Sequence, residues 1–398
     1  MGKALLIIVG GFSIIFTGVI FNMTSSQSRS ARAIVTQHEK WIARNAAESA
    51  ANVAIAKIYQ DIDWSAGLSG TFEGASYSVT PTNVTTAADS ITQAKRIRVL
   101  AVATFEGQSD SSIVELMQPA YSYYTLFTEQ WPQYPTYIRY EPGDTLWGPI
   151  HSDDPTNGIR INNGSPAPVF IGKVSSVNTA FSGATPNCYG GTEMGASPIG
   201  IPSTFLDPIM AVTGANVVEY TNHDTITFDA GGTFDDGSGP ILISPNQIIR
   251  TANGSNKDLY VQGVVSGQVT VVCDNDLFIE NDITYNDPTT DFLGLIARDD
   301  VIINEPWPGA PIIQAAILAG DEIQFPQVPG SGSLTVALTF MGSRAYSGVD
   351  DPQPLLGGSK YQITAIADPR LRDRTPPYFP RVFRSDGLPL VEQVYRSK

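Results

Sequence analysis

Between Lys3 and Arg29 the chain carries no charged residue, and Ala4 to Met23 holds twelve large aliphatic or Phe side chains. Each favours insertion at the bilayer centre by about 0.3–0.6 kcal/mol, and twenty helical residues span roughly 30 Å of hydrocarbon. The segment predicts a single membrane span, with residues 1–3 as a short cytoplasmic start. A cleaved secretory signal is the competing reading. The short basic start suits it, but the apolar run is long and the best cleavage candidate, Thr24-Ser25-Ser26, lacks the A-x-A pattern. Beyond the span, Ser30 to Gln60 contains neither Pro nor Gly and is rich in Ala, so the helix is expected to run unbroken from about residue 4 to 60. Residues 24–60 are then a stalk continuous with the span.

Composition bounds the remainder. Gly (36), Pro (28) and many Thr, Ser, Asn and Val residues favour short strands joined by turns, and charged residues at 16% are few for a soluble cytosolic enzyme. A net charge of -15 argues against nucleic-acid binding, which needs clustered cations. From Ser359 to Lys398 eight Lys/Arg face four acids, so this tail is about +4 on a body of about -19; residues 359–398 read as a basic, Pro-rich, solvated extension. Cys188 and Cys273 are too few for a disulfide framework and lack CxxC spacing, which leaves one optional bridge between them.

After Gly67 the pattern changes to strands. Ala75 to Thr80, Ile97 to Phe105 and Ser111 to Met117, with a tight turn at Glu106-Gly107-Gln108, predict a small antiparallel sheet over 67–118 packed on the stalk. Pro119 opens a second region with an internal repeat. Val269 to Ile279 aligns with Leu293 to Ile303, then with Ala315 to Phe325, and more weakly with Ala337 to Ser347, at offsets of 24, 22 and 22 residues. Two short strands and an acidic turn per period predict the stacked coils of a right-handed parallel β-helix over 119–358, with Cys273, Ala297, Ala319 and Met341 in one inward column. Residues from about 188 to 256 break the repeat and read as an insertion, with Val217–Tyr220 and Thr225–Phe228 as a hairpin. The expected fold is mainly β with one long N-terminal helix.

The acidic turns supply the candidate site residues. Asp274, Asp276, Asp299, Asp300 and Asp321 are oxygen ligands of the kind that hold Ca²⁺, and paired carboxylates also serve glycan-cleaving enzymes. The plainer reading is turn chemistry, because Asp and Asn bond their own backbone at corners. No catalytic or cofactor-binding constellation stands out. His151 reads as structural, and no cofactor or metal is expected.

Two sets of motifs carry a resemblance. Ala43-Arg44-Asn45-Ala46-Ala47-Glu48-Ser49-Ala50-Ala51-Asn52-Val53-Ala54 resembles the A-x-x-A-E-S-G-x-N-x-A stretch of PilX-like type IV pilus accessory proteins. Tyr140 to Ser152, Pro168 to Val174 and Asp368 to Pro380 resemble the uncharacterised β-helical body found behind such N-termini in bacteria. The resemblance implies a non-enzymatic, pilin-like envelope protein. It would be anchored in the inner membrane, with its body periplasmic or extracellular, and its partners would be subunits of a type IV pilus or a secretion-type pilin system. An envelope enzyme or binding module for polysaccharide is the alternative, with a surface glycan as partner. The chain departs from pilins at one point: a cut at Gly11/Phe12 or at Gly2/Lys3 would place Phe16 or Ile7, not Glu, at the fifth mature position.

Overall fold

The computed structural model describes residues 2–86, 89–130, 140, 142–304, 311–324, 335–348 and 360–397. The chain divides into two compact units: Met1–Asn83 with Ile97–Leu116 and Gln393–Lys398, and Val84–Arg96 with Met117–Glu392.

The first unit is built on one helix, Gly2–Gln60, about 90 Å long at 1.5 Å per residue. No breaker interrupts Ser30 to Gln60, and the three glycines of the apolar part have nothing within 4 Å of a notional Cβ. Leu6, Ile14 and Phe21 are 77%, 76% and 73% exposed, so this part is apolar all round. Lower down, Ala43, Ala46, Ala47, Ala50, Ala51 and Ala54 are buried in i, i+3, i+4 spacing. Small side chains let the helix lie close to its sheet, where Ala46 and Ala47 meet Ala75 and Ala103.

The sheet has five strands, in the order Leu68–Phe72, Ala75–Asn83, Lys95–Phe105, Gln108–Gln118, Glu392–Arg396. Glu106-Gly107 and Glu73-Gly74, all at positive φ, make the two-residue turns that match strand twist. The predicted three strands are present. The sheet gains Leu68–Phe72 on one edge, and on the other a strand from the end of the chain.

The second unit is a stack of parallel coils. Val269, Val271 and Cys273 lie opposite Leu293, Leu295 and Ala297, and Leu295 and Ala297 lie opposite Ile317 and Ala319. These are the predicted offsets of 24 and 22. The next offset is 27, because Ala319 faces Tyr346. Met341 therefore does not continue the column of Cys273; it lies opposite Gln314, and the predicted fourth register is corrected by five residues inserted after Ile323–Gln324. Even and odd residues of these strands are both apolar because both faces are covered. Val271, Leu295 and Ile317 fill the coil interior, whereas Val272, Ile296 and Leu318 point outward into a second core.

The insertion is smaller than expected. Val217–Tyr220 and Asp224–Asp229 do not form a hairpin: the first pairs in parallel with Gln247–Thr251 and the second with Leu259–Val265. Both are coil strands; residues 195–216 cross outside, and Thr233–Asp235 and Pro240–Leu242 add two short antiparallel strands beside Asp224–Asp229. Coils also occur earlier, where Leu126, Ile150 and Val174 stack at offsets of 24. The first of these coils pairs with the last of the later set, Leu126–Thr128 against Arg344–Tyr346. The chain thus enters the stack mid-way, runs to one end, crosses to the other and returns to meet its own beginning.

The basic tail is not a solvated extension. Lys360–Ile366 extends the parallel ladder on Thr335–Tyr346, and Leu371, Phe379 and Val382 cover the outward core together with Phe205, Leu206 and Ile209 of the crossing segment. Residues 89–96 clasp this strap through Tyr378 N–H to Ile91 O (2.9 Å), Thr375 N–H to Thr92 O (2.9 Å) and Ala94 N–H to Asp373 O (3.1 Å). The expected body boundary at 358/359 lies outside the described residues.

Both cysteines are free. Cys273 Sγ lies 3.0 Å from each of the carbonyl oxygens of Lys257 and Asp276, either of which can accept its single proton, and burial pushes its pKa up to about 12. Cys188 is half-buried. An aromatic disulfide reagent is expected to titrate only Cys188 in the native protein and both thiols after denaturation; two fast native thiols would contradict this packing.

Candidate functional site: coil corners and clefts

Coil corners place the predicted acids. Asp276 Oδ1 accepts Asp300 N–H at 3.1 Å, and Asp300 Oδ1 accepts Glu322 N–H at 2.9 Å while its Oδ2 accepts Gln324 Nε2 at 2.6 Å. Each carboxylate thus satisfies the backbone of the following coil. Asp274 is buried and takes Arg298 Nε at 2.6 Å and Gly254 N–H at 2.5 Å. Asp299 and Asp321 succeed one another through the main chain, Asp321 N–H donating to Asp299 O at 3.0 Å. Among the described residues no group of three or more His, Cys, Asp or Glu is placed to hold a metal ion; the carboxylates of Asp274, Asp276 and Asp300 accept donors at the corners instead. Asp274 and Asp299, with Arg298, Asp207 and Asn253, border an open cleft of 440 Å³.

Stacking acids on successive coils has an electrostatic cost. Burial, joined by the nearby charges of Asp276, Asp321 and Asp299, pushes the Asp300 pKa up to about 6. The folded state therefore holds a proton there at pH values where the unfolded chain has released it. This contribution to stability is present in full below about pH 4 and is lost as pH rises through 6. The melting temperature is expected to rise between pH 7.5 and 5, and Asp300→Asn to flatten that rise; an unchanged slope in the variant would refute the assignment.

Sequence reading missed the most reactive-looking constellation. His151 and Ser175 face each other on neighbouring coils. His151 Nδ1 lies 2.8 Å from Ser175 Oγ and its Nε2 2.6 Å from Asp153 Oδ1. The atoms match a serine–histidine–aspartate relay, but the site is closed: His151 is 1% and Ser175 8% exposed, and Phe127 stacks on the imidazole at 5.5 Å. Its visible work is structural. Asp153 accepts Ile199 N–H at 2.8 Å, Glu129 accepts Ile201 N–H, and together they pin the start of the crossing segment to the coils. Burial, with the Asp153 charge adding, pushes Glu129 up to about 7.

A second cleft, of 590 Å³, lies among Asp224, Thr225, Thr227, Asp235, Asp236 and Tyr260. Tyr260 stacks on Phe278 of the next coil at 4.7 Å. No motif pointed to it.

No family model matches the chain. Comparison with curated proteins finds no match either. Among solved structures, the chain is similar to the competence-associated pilin ComZ from Thermus thermophilus, at 10% identity and a TM-score of 0.34, over 90% of this chain and 97% of that one.

Proposed function

We propose that the protein is a non-enzymatic, pilin-like envelope component. Its N-terminal helix anchors it in the inner membrane and packs against the helices of type IV pilus or related pilin subunits. Its body, a right-handed parallel β-helix on the far side of that membrane, is displayed for assembly or adhesion. One observation carries this reading: the helix changes which of its stripes is apolar. Arg29, Arg32, Glu39 and Lys40 lie on the same stripe as Ala43, Ala47, Ala50 and Ala54 below them, which face the sheet. The opposite stripe is apolar above, where Ile34 (68% exposed) and Trp41 (58%) have no cover within the unit. An apolar helix surface of this size needs lipid or other helices.

Fractionation of expressing cells tests it. The chain is expected in membranes after alkaline carbonate washing and in the sheared filament fraction. Release by carbonate would remove the anchor, and signal confined to the inner membrane would remove the filament role. Ile34→Glu with Trp41→Glu is expected to deplete the filament fraction while leaving the membrane fraction intact.

A further inference from the structure

We propose that the outward face of the parallel ladder formed by Asp224–Asp229, Leu259–Val265, Leu277–Tyr285, Val301–Ile303 and Ile323–Gln324 binds a neutral saccharide chain, with the cleft at Tyr260 holding one sugar ring. This inference is independent of how the N-terminal helix is used. Along this face Thr225, Tyr260, Phe278, Ile302 and Gln324 stand on successive coils in register. Phe278 covers one face of the Tyr260 ring. The other face looks toward Thr225, whose exposed side chain lines the cleft. A half-exposed aromatic ring with one apolar face free inside a cavity of 590 Å³ suits the C–H face of a pyranose, and the volume lies in the range of small-ligand sites.

The ring's neighbours supply the other half of sugar recognition: planar or hydroxyl groups that pair with vicinal hydroxyls. Thr225 and Thr227 are exposed in the cleft, and Asp224 stands beside them. Beyond it, Gln262 is held by Thr227 at 3.2 Å, and Asn304 by Glu280 at 2.8 Å. These side chains are half-exposed and already oriented, so little rotamer entropy remains to be lost on binding. Coils repeat about every 4.8 Å, close to the length of one ring in an extended glycan. The face therefore offers a track rather than an isolated pocket.

The test is affinity electrophoresis of the detergent-solubilised full chain through gels cast with hydroxyethyl cellulose, dextran or galactomannan. At least one polysaccharide is expected to retard it. Tyr260→Ala is expected to weaken that retardation about ten-fold, and Thr225→Trp, which fills the cleft without removing a packed group, to abolish it. Phe72→Ala, at an exposed apolar residue of the five-stranded sheet, leaves it unchanged. Passage unretarded through all three gels overturns the proposal, as does retardation that both cleft variants retain. Binding of poly-lysine in place of all three polysaccharides overturns it too, and would reassign the cleft to cations.

Discussion

Replacing Gly172 with alanine is expected to destabilise the second unit by about 3 kcal/mol, near the upper end for overpacking a close contact. A Cβ at Gly172 would lie 2.0 Å from Gly148 O, and one at Gly190 would lie 2.2 Å from the Gly172 carbonyl carbon. The three glycines occupy one corner of successive coils, where main chain rests directly on main chain. The obstacle is backbone, which has no rotamer to move aside, so relief requires the coils to separate. A lowered melting temperature with the N-terminal helix still intact by circular dichroism is the expected observation. A variant that melts with the parent would show that the corner can open.

The second large effect is expected at Arg370. Its guanidinium is bonded to both oxygens of Asp368, with Nη2 at 2.6 Å from Oδ2, and Nη1 donates to Asp291 O at 3.0 Å. It also lies over the Phe292 ring at 4.1 Å. Arg370→Ala leaves Asp368 largely buried without its cation and removes the plate that holds the strap on the outward core. A loss of about 3 kcal/mol follows. Arg370→Lys should recover little of it, because an ammonium reproduces neither the fork nor the stack. Full recovery by lysine would reduce the role of Arg370 to simple charge.

These two sites also mark where sequence reading succeeds and fails. The helix was legible from Ala4 to Gln60 because its signal is compositional and needs no partner. The coils at 269, 293 and 315 were legible because inward and outward residues are both apolar and because Cys273, Ala297 and Ala319 repeat at one rung. The body was expected from 119, but the register of the coils at 126, 150 and 174 went unread since their strands are only three residues long, too short for periodicity to rise above the turns. Val217–Tyr220 and Asp224–Asp229 look like a hairpin because neighbours in sequence usually pair; in stacked coils each pairs with the next turn of the stack instead. Glu392–Arg396 gives no strand signal of its own, and the tail's charge concealed the apolar residues Leu371, Phe379 and Val382 that decide where it lies.

Of the candidate sites, the acidic corners were visible and their chemistry was not, because a carboxylate that caps a backbone amide has the same sequence as one that waits for a cation. The Tyr260 face did leave a trace. Tyr260 and Phe278 hold the same position relative to Leu259 and Leu277, and such an aromatic rung, recurring on the outward side of two aligned strands, could have been found.

The edge strand Glu392–Arg396 has a consequence for the order in which the sheet can form. Ser397 N–H donates to Ile113 O at 2.9 Å and Ile113 N–H to Ser397 Oγ at 3.0 Å, so the sheet that begins near residue 68 takes its outer strand from a segment far along the chain, beyond the whole second unit. A chain broken anywhere before this strand leaves Gln108–Gln118 as a bare edge, a template for wrong pairing. The sheet therefore cannot finish pairing until the residues between Gln118 and Glu392 have been made, and a product cut short within them would carry its own mark for proteolysis.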